Sequence, residues 1–369
     1  MKVAIMGESI QSNMNGQGWF TYYLVKNLSK IKNIDLTVIG DNYLENIDIK
    51  VKKLIHKMKK NTIEKLIFYK DLKMIKKEKF DIIHSPVNYG HPYFWFADAL
   101  KVKTIHDATG FEIKFNYPLT YKIQLKTQFK IFGKKINKIA TISETSKKEI
   151  NKHFHFPIEN IDVIYNGVSS NFRPIDKKSC KKVLDKYNVK MPFVFHISNA
   201  SHIKNIDGII KAYQKIKDTT RCNLVIGGAW KGNSTDRIIS AGYIDFEDLP
   251  YFYSAAEVFV FPSFHEGFGL PVLEAMASGT PVITSNIYAT KEIASDSAIL
   301  VNPYNTNEIS KAICNLINDN DLHEYYRRKG LNNVKKFSWK KCAQSYADLY
   351  FNLLNKHNED SNYGKRSRW

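Results

Sequence analysis

The chain lacks most of what marks a metal protein, a disulfide scaffold or a membrane-spanning protein. Its four cysteines, Cys180, Cys222, Cys314 and Cys342, are scattered without C-x-x-C spacing, the usage of reduced, buried thiols in a cytosolic protein. No window approaches the roughly 18 consecutive apolar residues of a membrane span, and "HPYFWFADAL" is too short and runs into Lys101. No charged leader with an apolar core and small-residue cleavage site opens the sequence, so no secretory signal is expected. Walker, H-E-x-x-H and G-x-S-x-G patterns are absent. "HFH" at 153–155 has no third ligand at metal spacing, and "DND" at 319–321 reads as a turn between helical patterns. Neither a metal nor a cofactor is expected. Arginine is missing from residues 1–168, which hold 28 lysines against 16 acidic residues, so most of the net charge of +19 falls in the first half.

What is present is enough for two cores. A chain of 369 residues with 43% hydrophobic and 25% charged residues is an ordinary globular composition at two-domain length. "KVAIM", "IDLTVIG", "DIIHS", "KVKTIHD" and "NKIATIS" are short apolar runs separated by segments long enough for crossover helices. Gly, Ser, Asn and Pro cluster in "NGVSSNFRPIDKKS", and the pattern then restarts with "FVFHIS", "CNLVIGG", "VFVFPS", "PVITSN" and "AILVNP". The expected fold is α/β, two Rossmann-like domains with parallel sheets facing across a cleft, ligands lying at the carboxyl ends of the strands. The expected boundaries are 1–168, a linker at 169–176, a second domain at 177–337, and a C-terminal helix with a basic tail at 338–369.

The stretch "SFHEGFGLPVLEAMASGTPVITSN" carries the chemistry. "VFVF" ends a strand, "PSFHEGFG" is a loop at its carboxyl end, and Pro271 suits the first turn of a helix. Backbone N–H groups of Gly267, Phe268, Gly269 and Leu270 then stand at a helix N-terminus, a seat for phosphate. Glu274, about one turn in, can accept two hydrogen bonds from a vicinal diol such as a ribose, and Glu266 can reach another part of the same ligand. Taken alone, each glutamate reads as a dipole complement or a cap.

The whole string resembles the E-x7-E signature of the family 4 retaining glycosyltransferases, which have the GT-B fold. "TIHDATG", "TISETSKKEI", "VIYNGVSSNFRP", "KNIDGIIKAY" and "FYSAAEVFVFPS" stand in the family's order. The resemblance implies transfer of a hexose from a nucleotide diphosphate sugar to an acceptor hydroxyl, on a cell-envelope or lipid-linked glycan. It implies that Glu274 holds the donor ribose, that Glu266 contacts the transferred sugar, and that Gly267 to Leu270 contact sugar and diphosphate. Lys204 in "SNASHIKN" matches the lysine that neutralises the leaving diphosphate, His106 in "TIHD" the histidine beside the donor sugar, and Gly16 and Gly18 in "SNMNGQGWF" the glycine-bearing loop that faces the diphosphate.

Two departures stand out. The family carries an arginine a few residues before the lysine, whereas Ser198 to His202 contain none, leaving His202, Arg221 and Arg237 as substitutes. The stretch from Cys222 to Gly242 is also shorter than the family's strand–helix unit. Two alternatives from other classes are a GT-B nucleotide-sugar epimerase, which needs its own acid–base carboxylates, and a basic nucleic-acid-binding protein, for which no module is evident. The charge has a different expected partner, an anionic membrane. Residues 50–79 carry 12 lysines against three acidic residues, with Phe68, Leu72 and Ile75 at helical spacing. Residues 114–138 have no acidic residue and intersperse Phe115, Tyr117, Tyr121, Phe129 and Phe132 among lysines. The expected location is cytoplasmic, peripheral at the inner face of the membrane, with no nucleic-acid partner.

Overall fold

The computed structural model describes all residues except 12–13, 15, 41–43, 45–47, 50, 56–72, 74, 89–91, 113–118, 236 and 367–369, and leaves the side chains of 55, 92–93, 121 and 361–366 undescribed. It divides into two units, Met1–Gly167 with Trp339–Trp369, and Val168–Ser338.

The first unit is built on seven strands, β1 (Lys2–Met6), β2 (Asp35–Gly40), β3 (Lys52–Ile55), β4 (Ile82–Ser85), β5 (Leu100–Thr104), β6 (Lys138–Thr141) and β7 (Ile161–Val163). All neighbours pair parallel in the order β3-β2-β1-β4-β5-β6-β7. Strand alternation sends Val3 and Ile5 to one face and Ala4 and Met6 to the other, so each face has its own core. On the first face sit Phe20 and Leu24 of the Gly16–Leu28 helix together with Tyr346, Ala347 and Tyr350 of the C-terminal helix Trp339–Arg366. The opposite face is covered by Phe94, Trp95, Leu125, Phe129 and Ile150.

The C-terminal helix thus completes the first unit, although its sequence follows the second. A buried polar chain explains its register. The His84 ring takes Tyr350 OH on Nδ1 at 2.6 Å and Thr104 Oγ1 on Nε2 at 2.8 Å, and Thr104 Oγ1 meets Tyr346 OH at 2.8 Å. Burial holds His84 neutral, pushing its pKa down to about 3. Each member satisfies another, which makes the set costly to break.

The second unit has six parallel strands, β8 (Phe193–Ser198), β9 (Asn223–Gly228), β10 (Ile238–Gly242), β11 (Val258–Phe261), β12 (Val282–Ser285) and β13 (Ile299–Val301), in the order β10-β9-β8-β11-β12-β13. In both sheets the order reverses, at β1/β4 and at β8/β11, and such switch points open at the carboxyl ends of the strands. Residues 169–176 pack within this unit: Phe172 sits against Phe246 and Tyr253, and Ile175 N–H donates to Ser254 Oγ at 3.2 Å. The link from β9 to β10 spans residues 229–237 and holds no helix among its described residues, where parallel neighbours ordinarily need a crossover of a dozen or more.

The basic segments fold differently from the sequence expectation. Within 50–79, Lys52–Ile55 is strand β3 at the sheet edge and Ile75 is a core residue, while Phe68 and Leu72 lie outside the described residues. Within 114–138, Phe129 is buried in the core, and Phe115 and Tyr117 lie outside the described residues, as does the side chain of Tyr121. Helix Leu119–Phe132 instead exposes aliphatic side chains, Leu119 at 71%, Ile123 at 55% and Ile131 at 60%. No helix among the described residues is long and apolar enough to cross a membrane.

Tyr350→Phe removes one hydroxyl and leaves His84 Nδ1 buried without its partner. A loss of about 1–3 kcal/mol is expected, read by denaturant unfolding of the full chain. A stability within a few tenths of a kcal/mol of wild type would show that the buried chain does not hold the helix.

Candidate functional site

In the second unit the sequence-predicted residues converge at the β8/β11 switch point. After β8 the chain makes a one-turn 3-10 helix, His202–Lys204, and after β11 it runs through Pro262–Gly269. Phe264 N–H donates to Ile203 C=O at 2.8 Å and ties the two loops together. Lys204 Nζ then reaches Glu266 Oε1 at 2.6 Å, with side-chain exposures of 17% and 12%. The ammonium also stands 5.3 Å from the centre of the Phe261 ring. The pair is largely withdrawn from water, so its mutual attraction is less screened than at an open surface.

Asn205, which the sequence reading passed over, holds the base of this arrangement. Its backbone is left-handed at φ 56°, and its side-chain amide donates to Pro262 C=O at 3.0 Å and Pro303 C=O at 2.7 Å. One buried amide therefore joins the loops that follow β8, β11 and β13. Gly208 makes room for it, since a Cβ there would land on Asn205 Oδ1. Beneath the loops, His196 Nδ1–H donates to Val260 C=O at 2.9 Å, so Nε2 accepts from Ser198 Oγ at 3.0 Å. Burial drops the His196 pKa to about 4, which keeps the ring neutral.

Glu274 stands on the helix Leu270–Ala277, whose first turn includes Pro271. Gly269 precedes that helix at φ 101°, a conformation that favours glycine. Gly267 and Gly269 are buried, and the Phe268 side chain packs inward, 4% exposed and edge-on to Phe337. Only the backbone of Phe268 is thus left for a ligand. Glu274 Oε2 accepts from Tyr253 OH at 2.9 Å. Desolvation raises the Glu274 pKa to about 7, against the lowering effect of the Tyr253 hydrogen bond. Tyr253 is fully buried, and no local sequence pattern announced it as the partner. The site as a whole offers a cation, a loop carboxylate, glycine backbone at a helix start and a carboxylate poised to ionise: recognition elements for a sugar, a diphosphate and a diol.

The other expected residues lie in the first unit. His106 follows β5 and is buried, with Nε2 at 2.8 Å from Pro86 C=O and its ring edge-on to Phe20 at 4.7 Å. A carbonyl only accepts, so Nε2 carries the proton and Nδ1 is an acceptor. Desolvation lowers the His106 pKa, so at neutral pH the ring is uncharged. Gly18 stands in the first turn of the helix that bears Phe20, and a Cβ there would stand 2.5 Å from Ser9 C=O, a packing reason for glycine. At Gly16 a Cβ would meet nothing within 4 Å. Of the three substitutes for the absent arginine, Arg237 donates to Thr220 and Cys222 C=O and Arg221 adjoins Cys222, both at the start of β9, the opposite strand end from Lys204. Only His202 shares the turn of Lys204.

Comparison with known proteins bears on the family and the fold. Residues 14–172 match the family described as Glycosyltransferase Family 4, and residues 181–333 match Glycosyl transferases group 1. The O-antigen chain mannosyltransferase B of Escherichia coli is 28% identical, covering 95% of this chain and 99% of that protein. The O-antigen chain mannosyltransferase RfbU of Salmonella typhimurium is 30% identical over 66% of this chain and 69% of its own. Among solved structures, a glycosyltransferase from Rickettsia africae superposes with a TM-score of 0.75 at 18% identity, covering 96% of this chain and 98% of that one. Anabaena HepE in complex with UDP and glucose gives 0.74 at 17% identity, covering 95% and 99%. The fold is GT-B, with a Rossmann-like parallel sheet in each unit.

The raised pKa of Glu274 makes any binding that needs its carboxylate depend on pH. Below about 7 the free carboxyl carries a proton, which a ligand needing the carboxylate must expel. Affinity should then fall about tenfold per pH unit below that value and level off above it. The ratio of nucleoside diphosphate dissociation constants for Glu274→Gln and wild type, measured by calorimetry from pH 5.5 to 8.5, cancels the ligand's own titration. A ratio independent of pH would remove Glu274 from the site.

Proposed function

The chain belongs to the family 4 glycosyltransferases, and on that premise we propose retaining transfer of a hexose from a nucleoside diphosphate sugar to a hydroxyl of a cell-envelope or lipid-linked glycan. The observation that carries this reading is the Lys204–Glu266 pair at the β8/β11 switch point, with Glu274 on the adjoining helix. The names of the O-antigen mannosyltransferases support the acceptor class, and they make a mannosyl donor the first to test.

In the reaction the bond from the sugar C1 to the diphosphate oxygen breaks and a bond from C1 to the acceptor oxygen forms on the same face. The acceptor proton passes to the departing phosphate oxygen. Glu274 takes the ribose diol, and the backbone from Gly267 to Leu270 takes sugar and diphosphate. Glu266 and the Nδ1 acceptor of His106 orient the sugar hydroxyls, and the glycine-bearing turn of Gly16 and Gly18 meets the diphosphate. Lys204 takes up the charge that grows on the leaving group; such a preorganised cation acts on the transition state more than on the bound donor. His202 is the second basic group on that turn and takes the place of the missing arginine.

Lys204→Ala is expected to lower turnover roughly 10²–10³-fold with a smaller change in donor affinity. A panel of UDP-, GDP- and ADP-sugars, scored by nucleotide release, identifies the donor, and isothermal titration with the matching nucleotide gives the affinity. Turnover within a factor of a few of wild type would remove Lys204 from the leaving-group role. Absence of turnover with every sugar nucleotide and glycan acceptor offered would count against the reading itself.

An anionic membrane surface is part of the same proposal. The exposed arc of helix Leu119–Phe132 combines Leu119, Ile123 and Ile131 with Lys126 and Lys130, and Lys135 lies over the Phe96 and Phe132 rings at 5.3 and 5.5 Å. Apolar side chains flanked by lysines suit the headgroup boundary, each lysine contributing about 1 kcal/mol near an anionic surface. Sedimentation should show binding to vesicles containing anionic lipid, weakened by high salt and by Ile123→Glu with Ile131→Glu. Equal partitioning with neutral and anionic vesicles at both salt levels would leave this face merely solvated.

A further inference from the structure

Next to the turn that carries Lys204 is a cavity of about 340 Å³ that His202 of the same turn lines but Lys204, Glu266 and Glu274 do not. It falls at the lower end of the range for small-ligand sites, about 300–1,000 Å³. One wall is aromatic. Phe264 is stacked on Tyr304 at 4.7 Å and 22°, and His202 stacks on Phe264 at 5.5 Å and 29°. Tyr304 is 72% exposed, which leaves the ring face away from Phe264 open. Trp230 forms another wall, its ring set against the core of the second unit and seated where a Cβ at Gly232 would collide with it.

The polar lining is sparse and specific. Asp207 and Lys211 are exposed four residues apart on the first turns of the Ile206–Gln214 helix, hence on one face. Among the described residues neither has an ion-pair partner. Ser201 completes the set, with an Oγ that has no hydrogen-bond partner. A carboxylate that accepts from two hydroxyls, an ammonium and a hydroxyl that donate, and a flat ring for the C–H face of a pyranose make up the chemistry of a sugar subsite. A nucleobase edge also offers partners to the Asp207–Lys211 pair, and displacement by a nucleoside diphosphate is the outcome that would reveal one. Trp230 lies in the link between β9 and β10, which holds no helix among its described residues.

We propose that this cavity is a glycan subsite, holding one hexose of the chain on which the enzyme acts, stacked on Tyr304 and Trp230 and bound through Asp207, Lys211 and Ser201. It rests on the glycosyltransferase reading for the identity of its ligand, but its test does not require transfer. Mannotriose, maltotriose and chitotriose are titrated into the full chain, followed by ligand-observed NMR, with Tyr304→Ala and Asp207→Asn as variants at exposed positions. Saturable binding of at least one trisaccharide is expected, weakened about fivefold or more in each variant. Nucleoside diphosphate affinity should stay unchanged, which also certifies that the variants are folded. In a transfer assay the same variants should raise KM for a long acceptor and leave KM for a monosaccharide acceptor alone.

The proposal is overturned if no trisaccharide binds wild type, if binding is equal in the variants, or if a nucleoside diphosphate displaces the sugar, which would make the cavity part of the donor site. Sugar binding that responds to Tyr304→Ala in a protein with no transferase activity would sink the functional reading and leave the subsite standing. Active transfer with variant-insensitive sugar binding would do the reverse.

Discussion

Three loops of the second unit are held in place by one buried amide. Asn205 donates to carbonyls at Pro262 and Pro303, residues 57 and 98 positions further along the chain. Every group assigned to donor chemistry in that unit hangs from these loops or from the helix that follows one of them. Lys204 is the preceding residue, Glu266 lies four residues past Pro262, and Glu274 is carried on the helix that leaves the same loop. A side chain that satisfies two backbone carbonyls away from water fixes loop positions within hydrogen-bond tolerance, which is the accuracy that a charge-stabilising site needs. The sugar cavity is set by the same amide, since Asn205 and Pro303 line it as well.

The charge of the protein has to be divided before it is interpreted. Lys103 is completely buried, bonded to Val87 C=O at 3.1 Å and near the Phe94 and Trp95 rings. Burial drops its pKa to about 7, so near neutral pH it is only partly charged. Lys101, 7% exposed, turns its ammonium to Ala97 and Ala99 carbonyls, and burial lowers its pKa too. Two of the lysines that give the first half its excess are thus internal solvation devices of β5. The exposed remainder on helix Leu119–Phe132 lies among aliphatic side chains.

Electrostatics also separates the two histidine and glutamate roles that sequence leaves alike. His106, His84 and His196 are all buried and all shifted toward the neutral form, so none serves as a cation. His84 and His196 brace the sheets, while His106 keeps an acceptor nitrogen near a strand end. Glu266 is engaged by an ammonium, whereas the partner of Glu274 is a neutral phenol. Desolvation that Tyr253 offsets only in part leaves Glu274 on the edge of ionisation.

The sequence alone determined the features encoded in neighbouring residues. Parallel strands buried on both faces are continuous apolar runs, so β1, β2, β8, β9 and β11 were readable, as was the loop-to-helix turn that spaces Glu266 from Glu274. The short strands β3, β7 and β10 were not, because they are defined by pairing to a sheet edge rather than by their own pattern. The tertiary structure alone decided which unit the C-terminal helix completes, since its register depends on His84 meeting Tyr350 across 266 positions. It also selected Asn205 and Tyr253 as supports, gave Gly18 a packing duty, and turned Phe129 inward while exposing Ile123 and Ile131. Apart from Gly18, which packs on nearby Ser9, these depend on residues far apart in the chain, and the periodicity of one segment carries no record of what will pack against it.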